Sequence, residues 1–424
     1  MVEPVANPSP ISRNAMNRLL LAALIALGLP LAQADDGHWQ ATWSASPQRT
    51  WSKEVPLPLG VPTQIGNQTL RQSVKVSLGG QRVRIALSNA YGSQPVAIGG
   101  AAVALAAPAG RLGGPSHRLT FAGQPTAYIA PGAELLSDPL DLAVPALGEL
   151  AVSIYLPQPT AIETFHWDGK QRVHGGPGEQ LDAGLLPVEG TMEARLFLAD
   201  VLVENPEPRP VVAVLGDSIT DGRGASLDGN QRWPDLLAQR LASRGVGVIN
   251  AGISGGRLLS DGMGQSALAR FQRDALGKPG VRAAIVLLGI NDISWPGSTF
   301  APNNPLVQYQ DLVAGYRQLI AQAHVRGVRI VGATILPFER ALSGSPIENY
   351  HAANKEALRQ RVNQWIRQSG EFDAVVDLDA HLRDPAHPLR LLPAYDSGDH
   401  LHPGDAGNRA MAESVDIEAL LKGM

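Results

Sequence analysis

Four glycine-rich segments in the C-terminal half of the sequence carry side chains suited to nucleophilic chemistry. The segment "VVAVLGDSITDG" ends an apolar run at Ser218, and "NAGISGGR" contains Gly255. Asn291 lies in "LLGINDIS", and Asp399 and His402 lie in "DSGDHLHPGDAG". A serine served by an imidazole and a carboxylate, with N–H donors for a developing oxyanion, is the set of groups that acyl transfer through a serine requires.

The pattern of the second half predicts the elements that would bring these segments together. Apolar runs of strand length alternate with stretches of helical periodicity, which is typical of βαβ units in a parallel sheet. In such sheets the ligand site lies beyond the carboxyl ends of the strands, where we expect all four segments. The predicted strands are 211–215, 246–249, 283–288, 330–335 and 375–378, and the predicted helices are 233–243, 309–323, 350–368 and 406–421.

The first half of the sequence follows a different period. Segments such as "SVKVSLGGQRVRIAL" alternate apolar and polar residues, glycine and proline recur often, and no helical pattern is present. We therefore expect an all-β sandwich over residues 35–203, with a hairpin turning at Gly79 and Gly80. Three prolines in residues 204–210 predict a stiff linker, after which residues 211–424 form the second domain.

The composition excludes several classes of function. The chain has 424 residues, of which 44% are hydrophobic and 17% charged, and its formal net charge is −4. These values are typical of a globular protein and lack the basic footprint of a nucleic-acid binder. Cysteine is absent, which excludes disulfides and thiol catalysis, and the ten histidines show no metal-ligand spacing. We therefore expect no cofactor and no metal.

The N-terminal 34 residues predict a secretory signal. The segment "MNRLLLAALIALGLPLAQA" combines a basic start, an apolar run and a small-x-small end. The run is short for a membrane span and is interrupted by Pro30, although an uncleaved anchor is the alternative. We expect cleavage before Asp35, no stable membrane insertion afterwards, and a secreted or periplasmic protein.

The four segments resemble the sequence blocks of the GDSL or SGNH hydrolases. "GDS" at 216–218, the glycine at 255, "GIND" at 289–292 and "DHLH" at 399–402 occur in the order of the family's blocks. The resemblance covers the chain from about residue 210 to its end. It implies a flavodoxin-like three-layer α/β/α domain with a parallel sheet.

The resemblance also implies a role for each residue. Ser218 attacks the ester carbonyl, His402 removes its proton and later protonates the leaving alcohol, and Asp399 holds the imidazole in the required tautomer. The oxyanion hole would use the backbone N–H groups of Ser218 and Gly255 and the side-chain amide of Asn291. A neutral amide suits this place because an aspartate would repel the oxyanion.

Other residues in or near these segments compete for the roles. Ser254 lies in "GISGG", which matches the G-x-S-x-G elbow of α/β-hydrolases. His400 is the alternative base. Alternatives for the orienting carboxylate are Asp377, Asp379 and Asp396. We expect Asp217 and Asp292 to brace their loops through hydrogen bonds to the backbone.

The N-terminal half suggests a substrate. "TWSASPQ" and the strand pattern at 70–92 resemble the leading β domain of a secreted subgroup similar to rumen xylan-degrading enzymes. The expected partner is a small-molecule or polysaccharide ester substrate, and this resemblance favours a carbohydrate-linked ester, such as an acetyl group on xylan or a related glycan. The alternatives are a lysophospholipase or lipase and a catalytically inactive glycan-binding protein, because fold does not choose among these functions.

Overall fold

The computed structural model describes residues 1–2, 37–51 and 55–424. The predicted signal segment and its cleavage site at residue 34 lie outside the described residues. Residues 38–424 form one compact unit that includes both predicted halves.

The described residues form mostly strands in the first half of the chain and alternating strands and helices in the second half. The strands are β1 (His38–Ser44), β2 (Gln48–Arg49), β3 (Gln64–Ile65), β4 (Gln68–Lys75), β5 (Gly80–Ser88), β6 (Val96–Ile98), β7 (Gly100–Ala107), β8 (Arg111–Leu112), β9 (His117–Arg118), β10 (Ala127–Ile129), β11 (Glu134–Leu136), β12 (Leu140–Val144), β13 (Glu149–Leu156), β14 (Thr160–Ala161), β15 (Thr164–His166), β16 (Val173–Pro177), β17 (Gly190–Met192), β18 (Arg195–Leu196), β19 (Leu198–Asn205), β20 (Val211–Gly216), β21 (Gly247–Gly252), β22 (Val281–Leu287), β23 (Arg329–Ala333) and β24 (Ala374–Val376). The helices are α1 (Ser218–Asp221), α2 (Trp233–Leu241), α3 (Ala267–Phe271), α4 (Ile290–Ser294), α5 (Tyr309–Val325), α6 (Ala353–Gln368), α7 (Leu378–Leu382), α8 (Asp405–Glu413) and α9 (Ile417–Leu421), with a 3₁₀ turn at Ala242–Arg244 and a π turn at Gln272–Leu276.

The first half is an all-β region, as predicted. One large sheet has the order β1-β19-β5-β11, with β12 also pairing with β5, and a second has the order β17-β16-β4-β13-β7-β8, with β9 pairing with β7. Smaller sheets of the described residues have the orders β10-β6, β14-β3 and β18-β15-β2. Leu70 and Val152 of the second sheet and Ile85 and Val201 of the first are fully buried in one hydrophobic cluster. Alternate residues of strands from both sheets therefore supply a shared core.

The predicted hairpin at Gly79 and Gly80 is wrong. β4 pairs with β13 and β16, whereas β5 pairs with β19, β11 and β12, so the chain crosses from one sheet to the other between them. Both glycines permit close packing there: a Cβ on Gly79 would lie 2.5 Å from the carbonyl oxygen of Val144, and one on Gly80 would lie 2.6 Å from that of Glu204. Period-two alternation shows which face of a strand is buried but does not identify its partner.

The second half contains the predicted parallel sheet. Its order is β21-β20-β22-β23-β24, every neighbouring pair is parallel, and all of β20 is buried. This is the flavodoxin-like strand order. The second strand of the sheet, β21, lies on one side of the first strand, β20, and the later strands lie on the other side, so the strand order reverses at β20. Because crossovers between parallel strands are right-handed, this reversal puts the connecting helices on both faces. The predicted α/β fold is confirmed.

The predicted helix at 406–421 is two helices. α8 ends at Glu413, and α9 begins at Ile417. The carboxylate of Asp416 accepts a hydrogen bond of 3.1 Å from the backbone N–H of Ala419, so Asp416 is the N-cap of a new helix. The apolar periodicity continues across the break and therefore did not reveal it.

Contacts near the amino ends of the parallel strands join the all-β region to the sheet. The backbone N–H of Val248 on β21 donates to the hydroxyl of Ser77 at 3.0 Å. Lys278, which precedes β22, pairs with Asp200 on β19 at 2.6 Å, and the two side chains are only 9% and 5% exposed. These contacts lie at the amino ends of the strands. The sequence predicts the site at the opposite edge of the sheet, beyond the carboxyl ends.

Candidate active site

Ser218 lies where β20 passes into α1. β20 ends at Gly216, and the carboxylate of Asp217 caps α1 by accepting a hydrogen bond of 3.0 Å from the backbone N–H of Ile219. A Cβ on Gly216 would lie 2.1 Å from the side-chain oxygen of Thr220, so glycine allows α1 to fold tightly onto the end of the strand. The hydroxyl of Ser218 is therefore held at the carboxyl end of β20, beside the reversal of strand order where ligands bind in this fold.

His402 and Asp399 complete a hydrogen-bonded chain to Ser218. The hydroxyl oxygen of Ser218 is 2.8 Å from Nε2 of His402, and Nδ1 of His402 is 2.6 Å from Oδ2 of Asp399. A carboxylate only accepts, so Nδ1 carries the hydrogen and Nε2 is left to accept from the serine. This is the tautomer that a general base for Ser218 requires.

The loop itself fixes the carboxylate of Asp399. Its Oδ1 accepts hydrogen bonds from the backbone N–H groups of Leu401 at 3.0 Å and His402 at 2.8 Å. Burial alone would raise the pKa of Asp399, but the hydrogen bonds and charge of His402 and the Leu401 N–H hold that pKa well below its ordinary value. Asp399 is therefore an anion at neutral pH and can stabilise a positively charged His402.

Three N–H groups are available for an oxyanion. Within residues 37–51 and 55–424, the backbone N–H groups of Ser218 and Gly255 donate to no protein acceptor. The amide nitrogen of Asn291 donates one hydrogen to the carbonyl oxygen of Gly256 at 3.0 Å, which leaves its second hydrogen. Gly255 has a φ of +73°, a conformation that favours glycine because it carries no Cβ.

Two aromatic side chains fix the orientation of the Asn291 amide. Its oxygen accepts hydrogen bonds from Nε1 of Trp295 at 3.1 Å and from the hydroxyl of Tyr350 at 2.7 Å. The indole N–H of Trp295 can only donate, so this side of the amide must be the oxygen and the other must be the nitrogen. The sequence analysis missed both residues, and no local pattern marks either of them as a partner of Asn291.

Asp217 and Asp292 brace their loops, as expected. The carboxylate of Asp292 accepts backbone hydrogen bonds from Leu258 at 2.7 Å and Leu259 at 3.0 Å, and so secures the chain beyond Gly255. Burial raises the pKa of Asp292 to about 6 and that of Asp217 to about 7. At neutral pH, ionisation of these two buried carboxyl groups therefore lowers the free energy of unfolding.

A pocket of about 370 Å³ opens above Ser218 and His402. Its walls are mostly apolar, and both halves of the chain supply them. The all-β region contributes Pro56, Leu57, Pro58 and Trp167, and the α/β region contributes the apolar residues Met263, Trp295, Phe300, Leu342, Pro346, Ile347, Tyr350 and Leu401. A ligand group that enters this pocket is therefore surrounded largely by aromatic rings and aliphatic side chains.

The competing residues have other partners. The hydroxyl of Ser254 donates to the carboxylate of Asp168 at 3.2 Å, and Nδ1 of His400 is 2.6 Å from Asp396. Asp377 and Asp379 both pair with Arg367. Among the predicted site residues, the structure brings together Ser218, His402, Asp399, Gly255 and Asn291, while their catalytic roles stay a prediction.

The sequence analysis also missed three consecutive residues of the all-β region. Trp167 lines the pocket, and the buried side chains of His166 and Asp168 contact the α/β region beside Ser218. The run "FHWDG" concentrates an imidazole, an indole and a carboxylate at the end of a short strand. That concentration of polar and aromatic groups was the available signal.

Neither a metal centre nor a membrane span is found in the part of the chain that the structure describes. No group of three His, Cys, Asp or Glu residues there is arranged to hold a metal ion. No helix among the described residues is long and apolar enough to cross a bilayer.

One family model matches the part of the chain that contains these site residues. Residues 214–410 match the model of the GDSL-like Lipase/Acylhydrolase family, and no curated protein matches the chain. Similar solved structures include a GDSL-like lipase from Bacteroides thetaiotaomicron (17% identity, 50% of this chain and 89% of that chain, TM-score 0.37) and the acetyl xylan esterase AlAXEase (19%, 48% and 96%, TM-score 0.35). At such identities and scores these two likenesses carry no functional argument. Residues 214–410 of this chain, with Ser218 at the end of the first parallel strand, form a GDSL-like lipase/acylhydrolase domain.

Proposed function

We propose that this protein is a serine carboxylic ester hydrolase that works through an acyl-enzyme. One observation carries the proposal: Ser218, His402 and Asp399 form a continuous hydrogen-bonded chain at a pocket that also contains three N–H groups available for an oxyanion. Nucleophile, base, orienting carboxylate and oxyanion donors together are the requirements for acyl transfer.

Acylation begins when the hydroxyl oxygen of Ser218 bonds to the ester carbonyl carbon and its proton passes to Nε2 of His402. The carbonyl oxygen becomes an oxyanion that accepts hydrogen bonds from the N–H groups of Ser218, Gly255 and Asn291. Collapse of this intermediate breaks the bond to the alcohol oxygen, which takes the proton from His402 and leaves. Asp399 stabilises the charged imidazole while both steps proceed.

Deacylation repeats the sequence with water. Water adds to the acyl carbon as His402 takes one of its protons, and the same donors bind the second oxyanion. When the bond to the serine oxygen breaks, the proton returns to Ser218 and the carboxylic acid is released. No cofactor is needed for either half of the reaction.

The pocket favours an ester with a larger apolar group than acetyl. An acetyl group would leave most of the pocket of about 370 Å³ unfilled. Each further methylene group buried against apolar walls contributes about 0.8 kcal/mol of binding free energy. We therefore propose medium-chain acyl or aryl esters as the preferred class. The acetylated carbohydrate keeps one observation in its favour, because the partly exposed indole of Trp167 lines the pocket and an aromatic ring of this kind can pack against a sugar ring.

A hydrolysis panel tests both the reaction and the substrate. We would compare p-nitrophenyl acetate, butyrate and octanoate with acetylated xylan, using the wild type and Ser218→Ala. We expect kcat/KM to rise with chain length and Ser218→Ala to be inactive at an unchanged Tm. Decline from acetate onward with acetate release from xylan would favour the carbohydrate ester instead, and full activity in Ser218→Ala would contradict the proposal.

A matched variant controls for the loss of a buried hydroxyl. Ser153 on β13 accepts a hydrogen bond of 2.9 Å from Arg71 within the all-β region. Ser153→Ala should therefore leave hydrolysis unchanged, although it removes the same atom from a buried serine.

We further propose that the chain is exported and cleaved before Asp35. The basic start, apolar run and small-x-small end of residues 16–34 support this proposal. Expression of the full chain in a bacterial host, followed by fractionation and N-terminal sequencing, tests it. Protein that begins at Asp35 in the periplasm or medium is expected, and an uncleaved chain retained in the cell would contradict export.

A further inference from the structure

The end of β15 brings polar groups of the all-β region to the back of the site. His166 is 4% exposed and Asp168 is 3% exposed, while Trp167 between them lines the pocket. His166 and Asp168 belong neither to the hydrogen-bonded chain of Ser218 nor to the oxyanion donors. Asp168 contacts the loop after β21, which contains Gly255, and His166 contacts Asp221, which binds the same loop.

His166 forms a buried ion pair with the helix that begins at Ser218. Its Nδ1 is 3.0 Å from the carbonyl oxygen of Ser46, and its Nε2 is 2.8 Å from Oδ1 of Asp221 on α1. Both partners are acceptors, so both ring nitrogens carry hydrogen and the imidazole is positively charged. Burial would lower the pKa of His166, but the charge and hydrogen bond of Asp221 and the bond to Ser46 raise it above its ordinary value.

The same ion pair holds the backbone of the loop after β21, which contains Ser254 and Gly255. Oδ2 of Asp221 accepts a hydrogen bond of 2.9 Å from the backbone N–H of Ser254. Asp221 is 1% exposed, and a buried carboxylate is stable only when its oxygens have such partners. His166 therefore fixes the direction of the Asp221 carboxylate, and Asp221 fixes the position of Ser254.

Asp168 binds the side chain of the same residue. Its Oδ2 accepts a hydrogen bond of 3.2 Å from the hydroxyl of Ser254 and lies 3.6 Å from the guanidinium of Arg223. Ser254 is thus bound through its backbone and through its side chain. The next residue is Gly255, and its N–H belongs to the peptide bond that Ser254 begins.

We propose that His166 and Asp168 are positioning residues of the all-β region that hold the Gly255 N–H in the oxyanion hole. The all-β region would then be part of the catalytic apparatus as well as a wall of the pocket. This inference rests on the proposed esterase function. A shift of about 1 Å in a positioned group can cost about 100-fold in rate. Variants that loosen Ser254 should therefore lower kcat.

A double-mutant cycle on His166 and Asp221 tests the proposal with p-nitrophenyl butyrate. We expect His166→Ala and Asp221→Ala each to lower kcat by about 30- to 100-fold, with KM within about threefold of wild type. Because the two residues act as one unit, the double variant should lose no more than either single variant. The double variant also removes both charges, so neither is left buried and unpaired. A double variant with wild-type kcat would overturn the proposal.

A conservative variant separates positioning from charge. In Asp221→Asn, the amide oxygen still accepts from Ser254, and the amide nitrogen donates to a neutral His166 that keeps its bond to Ser46. We expect kcat within about fivefold of wild type, because hydrogen bonds and not charge carry the positioning. A loss equal to that of Asp221→Ala would contradict the positioning role.

Asp200→Ala is the matched control for loss of a buried ion pair between the two regions. Asp200 pairs with Lys278 near the amino ends of the strands, away from the site. We expect it to lower Tm without changing kcat. If the alanine variants of His166 and Asp221 do not fold, Asp168→Ala carries the test, with an expected loss of about tenfold in kcat. An unchanged kcat in folded Asp168→Ala would overturn its positioning role.

Different results would overturn the proposed esterase function and the proposed positioning role of the all-β region. Activity that survives in Ser218→Ala would overturn the proposed function itself. If Ser218→Ala is inactive while the His166 and Asp221 double variant and Asp168→Ala keep wild-type kcat, only the positioning role of the all-β region fails.

Discussion

The hydroxyl of Tyr350 donates a hydrogen bond of 2.7 Å to the amide oxygen of Asn291. Tyr350 precedes α6, and Asn291 lies on α4, so the bond joins two segments that each reach the pocket. It leaves the amide nitrogen of Asn291 as the group available to an oxyanion.

Tyr350→Phe should lower kcat by about tenfold with little change in KM. The variant removes one hydrogen bond from the Asn291 oxygen and keeps the ring, which packs against Phe300 and Phe338. An oxyanion donor acts most strongly in the transition state, so looser orientation should reduce kcat more than substrate binding. Steady-state kinetics on p-nitrophenyl butyrate checks this, and a change in KM alone would mean that Tyr350 only shapes the pocket.

Gly255→Ala should lower kcat strongly through the backbone. The φ of +73° costs an alanine about 1–2 kcal/mol, and the new Cβ would lie 2.5 Å from the sulfur of Met263. Relief of this strain moves the Gly255 N–H, and loss of one oxyanion donor costs about 100- to 1,000-fold in kcat.

Gly132→Ala is the control for that variant. Gly132 has a φ of +76° in the turn between β10 and β11, and a Cβ added there would have no atom of the described residues within 4 Å beyond its chain neighbours. We expect the loss of stability that the positive φ alone causes, about 1–2 kcal/mol, with unchanged kcat. Equal effects of both variants on kcat would show that Gly255 has no special role.

Asp217→Asn should make stability at neutral pH less dependent on pH. The carboxyl of Asp217 ionises at about pH 4 in an unfolded chain, whereas burial raises its pKa to about 7 in the fold. Between these values the folded protein holds a proton that the unfolded chain has lost, so stability falls as pH rises. Asparagine still caps α1 but does not titrate.

Thermal unfolding at about pH 5 and about pH 8 measures this effect. The Tm of the wild type should fall relative to that of Asp217→Asn as the pH rises. Asp292 titrates in the same direction in both proteins, so the difference between the two Tm curves reports the titration of Asp217 together with its charge interaction with Asp292. If the Tm values of the two proteins change with pH in parallel, the charge of Asp217 does not destabilise the folded protein.

The sequence predicted the α/β half and the grouping of site residues because both are encoded locally. Ser218 and Asn291 each follow an apolar run, and a parallel sheet brings the ends of such runs to one edge whatever their separation along the chain. Asp399 and His402 are close in sequence, so one loop delivers both.

The remaining features depend on contacts that no local pattern encodes. The partners of β4 and β5 could not be read from their alternation, because strands in either of two facing sheets show the same period. His166 reaches Asp221 across 55 residues and from one region of the fold to the other. Tyr350 meets Asn291 across 59 residues, and a single sequence contains no signal for such a pairing.

The most direct test of the central claim is to identify the residue whose side chain acts as the nucleophile. The protein would be treated with a p-nitrophenyl phosphonate ester, which leaves a stable phosphonyl group on an activated serine, and the labelled peptide would be mapped by mass spectrometry. We predict a single adduct on Ser218 that is absent from Ser218→Ala and strongly reduced in His402→Ala. An adduct on Ser254, or none on a protein that hydrolyses esters, would contradict the assignment of Ser218 as the nucleophile.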